Sequence, residues 1–177
     1  MRAILDVMVV QSRVKGRTCM ARILICYYSR SGNTKKMAYL IQKGAMDEGA
    51  EVDTKNVKDV MVADLRKYDG IIIGSPTYYG GMAAPIKDLL DKSIRVHGKL
   101  QDKVGGAFSS STNVGGGNET TVLAVLQALM IHGMVICGDH RGDHYGPVSI
   151  EAPNKRVEKN CIMYGKRVAE LTKKLHG

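Results

Sequence analysis

The sequence predicts a doubly wound α/β domain, in which a parallel sheet is covered by helices on both faces. Short apolar runs alternate along the chain with longer amphipathic segments, and parallel strands need helical crossovers between them. The chain of 177 residues has room for one hydrophobic core. No stretch approaches the roughly 20 apolar residues that a membrane-spanning helix needs. We therefore expect one domain, without membrane insertion and with one active site.

The first half of the chain supplies three predicted strands. Residues 22–28 (RILICYY) are apolar and rich in β-forming residues, and a Ser/Gly loop separates them from an amphipathic helix over 34–49. Residues 51–57 alternate between apolar and polar as a second strand. Residues 70–74 (GIIIG) form a continuous apolar run, as expected for a strand buried on both faces of a parallel sheet.

The second half completes the alternation. Residues 84–92 predict a helix, because their apolar positions share one face and Pro85 is tolerated in a first turn. The remaining predicted elements are a fourth strand at 103–109, a third helix at 120–132, a fifth strand at 134–137 and a closing helix at 154–175.

Ligands of such folds bind at the carboxyl edge of the sheet. The loop at 29–34 (SRSGNT) precedes a helix N-terminus, where backbone N–H groups and the helix dipole favour a phosphate. The alternative is an ordinary N-cap made by Ser31 or Asn33. The loop is neither GxxxxGK[ST] nor GxGxxG, which disfavours nucleoside triphosphates and a conventional dinucleotide fold.

Two further loops reach the same edge. Residues 75–82 (SPTYYGGM) combine a rigid proline, a hydroxyl, two tyrosines and paired glycines, which suits a flat and partly polar ring. The alternative is a turn whose tyrosines only cover the core. Residues 110–117 (SSTNVGGG) leave the fourth strand for a helix, and the alternative there is a flexible linker. The three loops in this order predict a shared ligand site.

Charge and cysteine content argue against two classes of function. The formal charge is +9, but basic residues mostly alternate with acids on helical faces and no nucleic-acid motif accompanies them, which argues against nucleic-acid binding. The four cysteines have no CxxC spacing, which favours buried thiols in a reducing cytoplasm over disulfides or an iron–sulfur cluster. Residues 1–19 carry basic residues around a short apolar run. We interpret them as an N-terminal extension or a misplaced start, rather than a signal peptide.

The order of S-R-S-G-N-T, S-P-T-Y-Y-G-G-M, S-S-T-N-V-G-G-G-N-E-T and H-G-M resembles the WrbA family of flavodoxin-like NAD(P)H:quinone oxidoreductases, from about Met20 to the C-terminus. The resemblance implies a flavodoxin-like three-layer sandwich with a five-stranded parallel sheet in the order 2-1-3-4-5. It implies FMN as cofactor, NADH or NADPH as electron donor and a quinone as acceptor, with ping-pong kinetics. It also implies a cytoplasmic homo-oligomer, a dimer or tetramer, with sites built between subunits.

The resemblance also assigns residues by position. The FMN phosphate would be held by Ser29, Arg30, Ser31, Gly32, Asn33 and Thr34. The flavin ring and ribityl chain would be flanked by Pro76, Thr77, Tyr78, Tyr79, Gly80, Ser110, Ser111, Thr112, Asn113, Gly115 and Gly116. His132 would lie beside the flavin. From the residues alone, it is equally a histidine at a helix end whose ring nitrogens are hydrogen-bonded within the fold. No catalytic acid or base and no metal ligand is assigned, and residues 139–144 (DHRGDH) are interpreted as a solvated loop.

The sequence departs from the family in having no tryptophan. Family members place one after the helix that follows the second loop, near the position of Arg95. Three other flavoprotein functions stay open. One is an electron carrier for protein partners, although such carriers tend to be acidic. The others are a flavin reductase that releases reduced FMN and a scaffold that retains FMN for regulation.

Overall fold

The computed structural model describes residues 20–177. The interpretation of residues 1–19 as an extension or misplaced start therefore lies outside the described residues. A parallel sheet crosses the centre of the domain. Its strands are β1 (Arg22–Tyr27), β2 (Glu51–Asn56), β3 (Gly70–Tyr78), β5 (Val104–Ser111), β6 (Val135–Ile136) and β7 (Val148–Ile150). A two-residue strand, β4 (Gly81–Met82), pairs antiparallel with the end of β3.

The strand order along the sheet is β2-β1-β3-β5-β6. Since β4 lies off this path, the order confirms the predicted 2-1-3-4-5 arrangement of parallel strands. The fifth position differs from the prediction, because two short strands share it. The amino half of β5 pairs with β6, where Val104 lies opposite Val135, and its carboxyl half pairs with β7, where Ser110 lies opposite Ser149. The chain between β6 and β7 forms a loop, whereas the sequence predicted a single strand at 134–137 in this region.

Four helices cover the two faces of the sheet. They are α1 (Asn33–Asp47), α2 (Ala84–Lys92), α3 (Asn118–Ile131) and α4 (Lys155–His176). Short 3-10 helices occupy Val57–Asp59, Val62–Lys67 and Ser93–Val96. The helix bounds lie within two residues of the predicted ones. This agreement reflects the strong 3.6-residue periodicity of long amphipathic segments.

The alternation of side chains along the strands divides the core into two layers. In β1, Ile23 and Ile25 face α1 and α4, whereas Leu24 and Cys26 face α2 and α3. Ile71, Ile72 and Ile73 of β3 are all at most 2% exposed, which confirms the prediction of a strand buried on both faces. Among residues 20–177, no helix is long and apolar enough to cross a bilayer.

Candidate flavin site

A cleft of about 430 Å³ opens at the carboxyl edge of the sheet. Parts of all three predicted loops line it, because β1, β3 and β5 are adjacent and end at the same edge. The sequence-predicted residues in its wall are Ser31, Asn33, Pro76, Thr77, Tyr78, Ser110, Ser111 and Thr112. Its volume lies within the range of about 300–1,000 Å³ that small-molecule sites occupy.

The first loop presents the N-terminus of α1 to this cleft. Gly32 is the N-cap residue, with φ of 94°, and no side chain accepts a hydrogen bond from the first turn. The alternative of an ordinary cap by Ser31 or Asn33 is therefore not what the structure has. The Oγ of Ser29 instead accepts from the N–H of Gly32 at 3.1 Å, which fixes the left-handed turn. The first-turn N–H groups of α1 are left as donors beside the cleft.

Hydroxyl pairs join the three loops at the floor of the cleft. The Oγ1 of Thr34 lies 2.9 Å from the Oγ of Ser110, which ties the first loop to the third. The Oγ1 of Thr77 lies 2.9 Å from the Oγ of Ser109 and 3.0 Å from that of Thr121. Each hydroxyl can both donate and accept. These small polar side chains therefore hold the loops together without filling the space between them.

The second and third loops also touch directly. The Oγ1 of Thr120 donates to the carbonyl of Gly80 at 3.1 Å. A Cβ at Gly117 would lie 2.8 Å from the Cα of Gly80, so the two backbones pass closer than a side chain allows. Tyr78 and Tyr79 are exposed beside this crossing. The alternative in which these tyrosines only cover the core is therefore wrong, and both rings stay available to flank a ligand.

Nine predicted site residues belong to the loops but not to the wall of the cleft. Four of them make the loop contacts described above: Ser29, Gly32, Thr34 and Gly80. The exposed outer parts of the loops carry Arg30, Asn113 and Gly115, and Gly116 closes a turn by donating to the carbonyl of Asn113. Tyr79 has a φ of 49° and a fully exposed ring. Their assignment to the cofactor stays a prediction.

Sequence reasoning missed two residues of the cleft, Glu151 and Ala152. They follow β7, whose pairing with β5 carries the chain to the carboxyl edge. The N–H of Glu151 donates to the carbonyl of Ser111 at 2.7 Å, and Glu151 has a φ of 54°. A positive φ in a non-glycine residue is rare and is often found at functional sites. The alternation Val-Ser-Ile before it was the available signal, but three residues are too few to identify a strand.

His132 does not line the cleft of its own chain, and its predicted place beside the flavin stays a prediction. The helix α3 begins at the third loop and runs back across the sheet for 14 residues, or roughly 20 Å. It therefore ends at the amino edge, where Gly133 accepts a hydrogen bond from the N–H of Asp102. The physical reason is the direction of α3, which is antiparallel to the strands that it covers.

The surroundings of His132 fix its protonation. Ser93 donates its hydroxyl to the carbonyl of Leu90 at 2.5 Å, so the Nε2 of His132, 2.7 Å from that hydroxyl, must be the donor. The Nδ1 atom is buried and has no partner among residues 20–177. Burial lowers the pKa of His132, and nearby His97 lowers it further. Both effects disfavour the charged imidazole, and in the neutral ring Nδ1 is an acceptor without a partner in the described residues.

The segment predicted as a solvated loop is held by ion pairs. Asp139 lies 3.3 Å from the guanidinium of Arg141, and hydrogen bonds from this arginine lower the pKa of the carboxyl. Asp143 lies 2.7 Å from Arg156. In the part of the chain that the structure describes, no three His, Cys, Asp or Glu side chains are grouped to hold a metal.

Residues 24–123 match the flavodoxin domain family. The chain belongs to this family. An NAD(P)H dehydrogenase (quinone) of Archaeoglobus fulgidus is 35% identical over 88% of this chain and 100% of the relative. A flavodoxin of Aquifex aeolicus is 38% identical over 85% of this chain and 86% of the relative. The structure of a WrbA-like flavodoxin of Agrobacterium tumefaciens has a TM-score of 0.76 at 26% identity, over 88% of this chain and 99% of that one.

The cleft of this family member fits FMN on two observations. The uncapped first turn of α1 supplies backbone donors for a phosphate. The exposed ring of Tyr78 lines the cleft, where a flat ring system has room. Both the fold and the cleft thus agree with the predicted flavodoxin-like architecture.

Proposed function

We propose that this chain is an FMN-dependent oxidoreductase that transfers two electrons from NADH or NADPH to a quinone. The observation that carries the proposal is the cleft at the carboxyl edge, where the uncapped N-terminus of α1 meets the second and third loops. Relatives named NAD(P)H dehydrogenase (quinone), at 31–37% identity in five bacterial and archaeal species, support the choice of donor and acceptor.

The residues of the chain bind and orient the cofactor. The N–H groups of the first turn of α1, with the hydroxyl of Ser31, would hold the phosphate. Thr77 and Ser110 would line the ribityl chain, and Tyr78 and Tyr79 would flank the ring. When bound, the flavin supplies the redox chemistry, and the protein sets its position and electrostatics.

The shape of the cleft supports ping-pong kinetics. Its floor is closed by the Thr34–Ser110 and Thr77–Ser109 hydroxyl pairs. A nicotinamide donor and a quinone would therefore both approach from the open side and would have to bind in turn. Such alternation gives parallel lines when reciprocal rates are plotted at several donor concentrations.

The test uses the full chain loaded with FMN under anaerobic conditions. NADH or NADPH is added first and benzoquinone second, while the visible absorbance of the flavin is followed. We expect rapid bleaching by the nucleotide and full recovery with the quinone. Absence of bleaching by either nucleotide would contradict the proposal.

One relative favours a second function. The Aquifex aeolicus protein, at 38% identity, is named a flavodoxin, and this supports an electron carrier that docks on protein partners. The same experiment separates the two functions, because a carrier would stay oxidised with NADH and NADPH and would be reduced only by a partner reductase. The net charge of +9 argues against the carrier, since basic carriers of this kind are unusual.

The surface of α2 and α3 supports a homo-oligomer. Ile94, in the 3-10 helix after α2, and Ile131 of α3 are 69% and 74% exposed, and both line one surface cavity. Clustered exposed apolar side chains mark interaction surfaces. His132 ends the same helix, so in an oligomer it could reach the flavin of another copy. Light scattering should give a dimer or tetramer mass, and Ile131→Glu should lower it; a monomeric wild type would contradict this part of the proposal.

We also propose a cytoplasmic location. Cys26 and Cys161 are buried free thiols, and burial raises the pKa of each to about 12. Thiols of this kind are inert and are typical of proteins from reducing compartments. Fractionation of cells that produce the native protein would test the location.

A further inference from the structure

We propose that the groove between α1 and α4 holds the adenosine phosphate end of a dinucleotide whose other end occupies the flavin cleft. The inference rests on the proposed function, because it takes the cleft as the place of the flavin and nicotinamide rings. It adds a second binding region, made of residues that neither the motifs nor the loops had indicated.

The groove is an open depression of about 720 Å³ next to the cleft. Gly32 lies in the wall of the groove, while its neighbours Ser31 and Asn33 lie in the wall of the cleft. Ala152 lines both spaces. A ligand that extends past the phosphate position at the first loop would therefore enter the groove rather than bulk solvent.

Two lysines make the groove suitable for a second phosphate. Lys35 and Lys36 of the first turns of α1 both line it, and both are exposed. Within residues 20–177 neither forms an ion pair with a carboxylate. The dipole of α1 adds positive potential at the same end. An anionic ligand would thus gain charge pairing without first breaking a salt bridge.

The other side chains suit an aromatic base. Tyr39 is 48% exposed at the groove, and Leu40 and Pro153 complete an apolar platform. The Nζ of Lys35 lies 6.0 Å from the centre of the Tyr39 ring, so charge and aromatic surface are close together. Aromatic rings stack on flat bases in this way. Glu158 is the acid in the wall, and its carboxylate can accept from a ribose hydroxyl or an exocyclic amine.

Two dinucleotides present this chemistry. FMN alone ends at the phosphate held by the first loop, whereas FAD continues from that phosphate into an adenylate. NADPH could instead place its nicotinamide on the ring and its adenosine, with a 2′-phosphate, in the groove. In both cases the groove recognises the same group, an adenosine phosphate.

The first arm of the test compares flavins. Apoprotein is titrated with FMN and with FAD, and flavin fluorescence reports each dissociation constant. FMN remains the cofactor of the proposed function, and FAD serves as a probe of the groove. If the adenylate of FAD enters the groove, FAD should bind more tightly than FMN in this titration, and Tyr39→Ala should remove most of that difference. Lys36→Glu should reduce the preference for FAD about tenfold, because it replaces an attraction to the phosphate by a repulsion and each exposed charge pair has only a modest effect.

The second arm uses FMN-loaded protein and inert probes. Calorimetric titration with ADP, and with ADP that carries a 2′-phosphate, reports whether the groove takes a free adenosine phosphate. If NADPH is the source, the 2′-phosphate probe should bind, and Lys36→Glu should weaken it about tenfold. Lys43→Glu is the matched control, because Lys43 is exposed on the same helix seven residues further on and does not line the groove.

Three results would overturn the inference. The first is equal affinity for FMN and FAD together with no binding of either ADP probe. The second is no effect of Tyr39→Ala on the affinity for any adenosine ligand. The third is an equal loss of affinity in Lys36→Glu and Lys43→Glu. Failure of the proposed function is distinguishable, because it would show as absent FMN binding or absent bleaching in the wild type.

Discussion

The two edges of the sheet differ in whether their backbone hydrogen-bonding groups have partners within the protein. At the amino edge, the chain satisfies its own donors and acceptors: the N–H of Arg22 donates to the Asp69 carboxylate at 2.9 Å, and Lys103 donates to the carbonyls of Arg66 and Tyr68. At the carboxyl edge, α1 and α3 both begin at left-handed glycines with no side-chain cap. The difference locates the ligand, since uncapped helix N-termini are anion sites.

The first and largest test of this contrast is Gly32→Val, paired with Gly49→Val. Both glycines have left-handed backbones, with φ of 94° and 85°, and open space around the missing Cβ. Each substitution should therefore destabilise the fold by a similar strain of about 1–2 kcal/mol. Gly49 follows α1 at the amino edge, whereas Gly32 is the N-cap residue of α1, whose first N–H groups are predicted to bind the phosphate. FMN binding should be lost only in Gly32→Val.

The measurement is flavin retention after purification, with thermal unfolding as the control for strain. Equal yellow colour in both variants would show that the first loop does not hold the phosphate. Loss of colour in both would show that overall stability, and not the N-terminus of α1, limits FMN binding.

Much of the carboxyl edge could be predicted from the sequence because each of its loops has a local signal. Serines and glycines between an apolar run and an amphipathic helix mark a loop wherever they occur. The predicted residues Ser31, Thr77 and Ser110 accordingly line one cleft. The strand order followed from the family resemblance, and the structure confirms it.

The other residues of the cleft could not be predicted in this way, because their positions depend on pairing between distant segments. Glu151 and Ala152 reach the cleft only because β7 pairs with the carboxyl half of β5, and a strand of three residues has no periodicity to detect. The position of His132 was predictable in principle. A helix that starts at the carboxyl edge and covers parallel strands must end at the amino edge, but the motif H-G-M was interpreted without that geometry.

The second prediction concerns Glu151, the one acid among the described residues that line the cleft. Its carboxylate would repel an anionic cofactor bound there. Glu151→Gln keeps the shape and removes the charge, so FMN should bind a few-fold more tightly, since an exposed charge pair is worth on the order of 1 kcal/mol. The gain should shrink as salt is added.

Glu51→Gln is the matched control at the amino edge. Glu51 is exposed at the start of β2 and pairs with Arg22 at 3.4 Å. Its neutralisation changes the net charge by the same amount without changing the cleft. Fluorescence titration with FMN at low and high salt should separate the two variants. Equal tightening in both would mean that only net charge matters.

The smallest expected effect is at the amino edge, where the side-chain Nδ1 of His132 is a buried polar atom without a partner in the described residues. Burial lowers the pKa of its imidazole, so the folded protein resists protonation more than the unfolded chain does. As pH falls through the ordinary histidine value of about 6.5, the unfolded chain takes up a proton first and the folded state loses stability. The loss should end once the pH is below the lowered pKa of the folded protein, where both states are protonated.

One group of this kind changes the unfolding free energy by at most about 1.4 kcal/mol per pH unit. His132→Gln should remove that slope from denaturant unfolding measured between neutral and mildly acidic pH. His140→Gln is the control, because His140 is exposed in the loop after β6. An unchanged slope in His132→Gln would mean that solvent or another subunit reaches the Nδ1 atom and stabilises the charged imidazole. In that case the amino edge would be as open to ligands as the carboxyl edge is.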